Sequence, residues 1–201
     1  LLHIFDRNQK NKVKIGVYNC ENDDLRIIDD TSAFNFQQGA MLRWLNQNSY
    51  HIIYNTVDNG NLVAKIKDAV SGKTLKTIPM PIQTVNFDGT EALTLNYKRL
   101  DRIRPEYGYS VNVKNFSSNM PYEEDGIWRI DINTGNSELI VSLADLIGLK
   151  HNKTMDKSHH KINHIMYSPS GKRFVFMHRW IGGHGKFSRL YTANKDGSDI
   201  Y

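Results

Sequence analysis

Residues 163–180, NHIMYSPSGKRFVFMHRW, decide the fold. A turn of Ser168, Pro169, Ser170 and Gly171 separates two apolar runs. Its Ser-Gly pair supplies a residue that tolerates positive φ, as a tight hairpin requires. In the second run Phe174 and Phe176 point one way and Val175 and Met177 the other. A strand apolar on both faces, with no helix between its neighbours, suits sheets stacked face to face, as in four-stranded blades around an axis. The run ends in a polar and aromatic cluster, His178, Arg179 and Trp180.

The same plan recurs upstream. Residues 41–78 form one copy, and a second starts at residue 84 (TVNFDGTEALTLNY) and resumes at residue 126 (GIWRIDINTGNSELIVSL). The third is the opening stretch followed by SRLYTANKDGSDIY, residues 188–201. Each has a strand, a tight turn, a second strand, a connection and a hairpin. Asp88-Gly89, Thr134-Gly135, Ser71-Gly72 and Asp196-Gly197 mark the further turns. Residues 13–29 match only the last hairpin. The spacing from Asn48 to Asp88 is 40 residues, close to the ~40–45 of one propeller blade. From Asp88 to Ser170 it is 82, which two insertions explain, residues 98–125 and 150–162. Helix is expected only near residues 142–149, with Ser142 as its cap.

The expected fold is therefore all-β: four-stranded antiparallel blades at residues 1–36, 37–81, 82–148 and 162–201, within one propeller domain. This makes about three and a half blades, where closed rings have roughly four to eight. The chain is expected to be part of a larger ring. The N-terminal LLHIFD, Leu1 to Asp6, is read as the middle of a strand.

YSPSGKRFVF followed by LYTANKDGSDIY resembles the TolB-type propeller repeat, in which an S-P-D-G-K turn precedes an apolar strand and an L-Y…N…D-G-S hairpin. The resemblance implies a ring of about six or seven blades. Within that group the third copy is most similar to the oligogalacturonate-lyase-like branch. There a His opens the blade, a strand ends in F-C-H-E-G-P, and an Arg precedes the hairpin. His164, His178 and Arg189 match those three positions. The resemblance implies elimination across an acidic saccharide, with His178 as base, Arg189 as its catalytic partner and a divalent metal such as manganese holding the carboxylate. The family's Glu-Gly-Pro is here Arg179, Trp180 and Ile181. Its metal ligands lie in later blades, so no metal ligand is expected within these residues.

The residues themselves extend this list. A neutral His can take a proton near pH 7, Arg can neutralise a carboxylate, and a Trp face can stack on a sugar. The alternative for His178 and Trp180 is packing between blades. In the first insertion Arg99, Arg102 and Arg104 precede Tyr107 and Tyr109. Guanidinium forks and tyrosine faces suit an anionic saccharide, unless Asp101 and Glu106 already pair with the arginines. The candidate substrate-binding set is thus Arg99, Arg102, Arg104, Tyr107, Tyr109, His164, Arg179 and Trp180. His151, Asp156, His159 and His160 fit no specific metal spacing and are read as a polar loop. WIGGHGKF, residues 180–187, lacks the Lys-Ser/Thr of a phosphate loop and is read as a mobile loop. Glu123, Glu124 and Asp125 are read as a solvated turn.

The net charge of +5 is spread along the chain and forms no nucleic-acid footprint. No apolar run approaches the ~18 residues of a membrane span. One cysteine, Cys20, precludes an internal disulfide and leans towards a reducing, cytoplasmic setting over the periplasm. Three functions stay open: a lyase-like enzyme, a non-catalytic binder of an acidic oligosaccharide, and a protein-interaction propeller.

Overall fold

The computed structural model describes residues 1–5, 11–47 and 49–201. Asp6 and Asn48, used above for the terminal strand and the blade spacing, lie outside them. The described residues form four antiparallel sheets in chain order. The first holds β1 (Leu2–Phe5), β2 (Val13–Asn19) and β3 (Asp24–Thr31). The second runs β4 (Arg43–Trp44), β5 (His51–Asp58), β6 (Asn61–Asp68) and β7 (Thr74–Ile78). The third runs β8 (Thr84–Val85), β9 (Glu91–Thr94), β10 (Gly126–Asp131) and β11 (Ser137–Ser142). The fourth holds β12 (His159–Tyr167), β13 (Arg173–Gly182) and β14 (Gly185–Asn194). Past the last hairpin, Tyr201 exchanges both backbone hydrogen bonds with Thr192.

The turns form where the sequence places them. Gly72, Gly89, Gly135, Gly171 and Gly197 all have positive φ. Gly126 is needed for another reason: a Cβ there would lie 1.9 Å from the Val141 carbonyl oxygen, beside an irregularity in the β10–β11 register.

Two apolar clusters sit between the sheets. The larger joins the second, third and fourth sheets through Ile53, Leu62, Ile130, Val141, Phe174 and Phe176. The smaller joins the first two through Ile15, Ile52 and Tyr54. Asn55, fully buried, ties several parts together. Its amide donates to the Ile82 carbonyl and the Tyr109 hydroxyl, and its oxygen accepts from the Ile82 amide.

The fourth sheet corrects one expectation. Only one face of β13 is fully buried, carrying Phe174, Phe176, His178 and Trp180. Val175 and Met177 are half-buried on the other, beside Met166 and Leu190, which are 61% and 66% exposed. That face has no sheet against it among the described residues. The first sheet likewise exposes Leu2, Leu25 and Ile27.

The insertion after β9 also differs from a plain loop. It opens with α1 (Tyr97–Ile103), capped by Asn96, whose side chain accepts from the amides of Lys98 and Arg99. A second helix, α2 (Leu143–Gly148), forms at the expected place with the Ser142 hydroxyl accepting from the Asp145 amide. The segment 150–162 holds a short 3-10 turn, Lys153–Met155, and the start of β12. The glycine-rich stretch 180–187 is no loop: β13 runs to Gly182 and β14 starts at Gly185, leaving a two-residue hairpin. No helix among the described residues is long and apolar enough to cross a membrane.

Candidate functional site

Strand parity divides the candidates into two groups. In the register of the fourth sheet Ile162 pairs with His178 and His178 with Arg189, while Lys161 pairs with Arg179. His178, Trp180 and Arg189 therefore share the core face, and Arg179 lies on the other.

On the core face His178 is fully buried and hydrogen-bonded through Nε2 to Nδ1 of His160, at 3.0 Å. The other His160 nitrogen, Nε2, lies 3.1 Å from the Met155 carbonyl oxygen, which can only accept. His160 must then carry its proton on Nε2, and His178 must donate from its own Nε2. That leaves the lone pair of His178 Nδ1 buried without a partner. Burial, then the charges of His160 and Arg189, push His178 down to about 3. Burial likewise lowers His160. Trp180, 3% exposed, donates from Nε1 to the Thr154 hydroxyl. Arg189 stacks over Trp180 and donates to the carbonyls of Leu149 and Lys150. Trp180 and Arg189 tie the segment 149–154 to the sheet, and His178 is fully buried.

The insertion arginines also separate. Arg99 is 3% exposed and paired with buried Asp125. It also donates to the Met120 carbonyl and lies over the Tyr122 ring. Burial outweighs Arg99 at Asp125 and pushes its carboxyl up. Asp125 is thus a buried anchor and not part of a solvated turn. Arg102 is exposed and donates to Asn119. Tyr109 is fully buried, stacked on Tyr97 at 4.2 Å between centroids.

The remaining candidates converge. Arg104, Tyr107, His164 and Arg179 meet around a residue that the sequence reading missed, Lys161. Arg104 and Lys161 flank the Tyr107 ring at 5.7 and 5.9 Å, and His164 meets it edge-on at 5.2 Å. His164 is held there by a β-bulge that puts it at φ +56°, a conformation non-glycine residues rarely adopt. Lys161 is 1% exposed and its Nζ has no hydrogen-bond partner. Burial first, then Arg104 and Arg179, bring its amine down to about 7, with Glu106 pulling the other way. Burial, Arg179 and Lys161 lower His164. Asn163, next on the same face, is fully buried with both amide atoms unpartnered, and so is Arg179 Nε. Glu106 is already paired with Arg104 at 3.2 Å. Three cations and an unmatched amide thus share one spot, with one carboxylate beside them.

The described residues include no group of three or more His, Cys, Asp or Glu placed to hold a metal ion. The His160–His178 pair has no third ligand and His151 is paired with Asp156, so these residues do not fit the metal implied by the lyase resemblance.

No family model and no curated protein matches the sequence. Solved structures do match. TolB from Acinetobacter baumannii aligns with a TM-score of 0.53 at 10% identity, over 98% of this chain and 39% of that one. The fold is that of a β-propeller. Kuenenia stuttgartiensis hydrazine synthase (TM-score 0.46, 10% identity) aligns over 93% of this chain and 49% of its own. An oligogalacturonate lyase in complex with manganese (TM-score 0.40, 10% identity) aligns over 98% and 62%. The chain spans less than two thirds of each. Such identities bear on fold alone, and TolB carries that conclusion.

Proposed function

We propose that this propeller segment is a binding module for an anionic ligand of the acidic-oligosaccharide class, and not a catalyst. The observation that carries the reading is the convergence of Lys161, Arg104 and Arg179 with the unpartnered amide of Asn163. An unpaired buried donor costs about 1–3 kcal/mol. A carboxylate accepting from Lys161 and Arg179 would satisfy several such atoms at once and relieve the mutual repulsion of the cations. Arg104, His164 and Arg179 are half-exposed, and Lys161 and Asn163 are buried.

The case against a histidine base is as specific. A group with a pKa of about 3, buried and already donating to a second histidine, neither reaches a substrate nor holds a proton well. The test is to incubate the protein with oligogalacturonate and Mn²⁺ and follow ultraviolet absorbance for unsaturated product. None is expected. Product formation that His178→Gln abolishes would restore the lyase reading.

A protein partner is the second reading, favoured by the open face of the fourth sheet with Met166 and Leu190 exposed.

A further inference from the structure

A concave surface lies at the end of the third sheet opposite α1. In the third sheet the β8–β9 turn and the insertion containing α1 sit at opposite ends of β9. The β8–β9 turn packs against the connection between β4 and β5. A Cβ on Gly89, at φ +72°, would lie 2.8 Å from the Leu45 carbonyl oxygen. Between these connections is a cleft of about 660 Å³, within the ~300–1,000 Å³ usual for ligand sites.

Its lining is selective. Trp44, Tyr50 and Phe87 face it, 42%, 71% and 59% exposed, although large aromatics are ordinarily drawn into a core. The polar lining is amide and hydroxyl: Asn46, Gln47 and Ser49, with the Ser49 hydroxyl donating to Asn46. Asn86 is committed to its own turn, accepting from the amides of Thr90 and Glu91. Among the described residues no carboxylate lines the cleft. Arg43, the one cation among the described lining residues, already donates from both terminal nitrogens to the Thr84 hydroxyl and the Gln83 carbonyl, while its buried Nε lacks a partner.

We infer that this cleft binds an uncharged oligosaccharide. Arg43 aside, whose terminal nitrogens are already engaged, the described polar lining is uncharged, which matches a ligand whose polar groups are hydroxyls and not carboxylates. A sugar presents C–H faces to aromatic rings and hydroxyls to groups that both donate and accept. A neighbouring cleft of about 490 Å³ shares Trp44 and Tyr50 and adds Tyr18 and Val70, together with the charged Glu21, Asp24 and Arg26. The aromatic faces therefore continue beyond one ring, which favours a chain of sugars. This site is separate from the cationic cluster and stands or falls without it.

The test titrates the protein with linear tetrasaccharides of glucose, mannose and N-acetylglucosamine up to millimolar concentration, by calorimetry and tryptophan fluorescence. At least one should bind. Trp44→Ala and Tyr50→Ala should each weaken it by about tenfold, and Lys186→Ala, an exposed position outside the cleft, should leave it unchanged. Tyr50 projects into solvent, so Tyr50→Ala keeps the fold, which a thermal melt verifies. Absence of binding by all three sugars, or binding that survives both aromatic variants, overturns the inference.

Discussion

His178 and Lys161 stand on opposite faces of neighbouring strands, and burial lowers the pKa of both, making each a weaker base. For His178 the folded pKa of about 3 lies below the usual 6.5. The unfolded chain therefore binds more protons between those values, and stability is lost as pH falls from about 6.5. Acidifying from pH 6.5 to 5 should cost about 1–2 kcal/mol from this residue, visible as a falling Tm, and His178→Gln should flatten that dependence. For Lys161 the amine titrates at about 7, so it is cationic below that pH and neutral above it. Affinity for an anion should fall as pH rises from 6 to 8, and Lys161→Met should bind weakly at every pH in that range. One half of this was legible in the sequence. His178 and Trp180 share parity with Phe174 and Phe176, which marks them as core-facing once those phenylalanines are core. Lys161 was not legible, because a lysine in a polar stretch reads as solvated. Only the folded insertion, laying Tyr107 against it, buries it.

At the scale of elements, the insertion between β9 and β10 is a built structure hung on one ion pair. Asn96 caps α1 and donates to Asp125, and Asp125 receives Arg99. Removing one partner strands a buried charge. Arg99→Ala should cost about 3–5 kcal/mol, whereas Arg102→Ala, three residues on and exposed, should change Tm little. Urea unfolding of the two variants side by side measures the contrast. A Gly126→Ala substitution should also destabilise strongly, because its Cβ would collide with the β11 backbone at Val141. The α2 cap at Ser142 was readable, as were the glycine turns, since each rests on local chemistry. The cap at Asn96 carries a similar local signal, but the arginines after it drew the reading towards a loop. The Arg99–Asp125 pair spans 26 residues and has no local trace.

For the whole molecule, the repeat of strand, turn and hairpin fixes the architecture, because a sheet with apolar residues on its faces must stack on another. Three sheets do so on this plan, and the first joins them through Ile15 and Tyr54. What the repeat did not show is which faces are left uncovered. Met166 and Leu190 on the fourth sheet and Leu25 and Ile27 on the first are exposed. The 201-residue chain should self-associate as its concentration rises, and Leu190→Lys should shift sedimentation velocity profiles towards the monomer. A concentration-independent monomer in both would contradict this.

The central claim is that the functional centre is the cationic cluster around Lys161 and not the buried His178. Calorimetric titration of oligogalacturonate at pH 6 into the protein, Lys161→Met and His178→Gln tests it most directly. The account predicts binding to the protein, a loss of at least about tenfold in Lys161→Met, and unchanged affinity in folded His178→Gln. Unchanged affinity in Lys161→Met with loss in His178→Gln would contradict it.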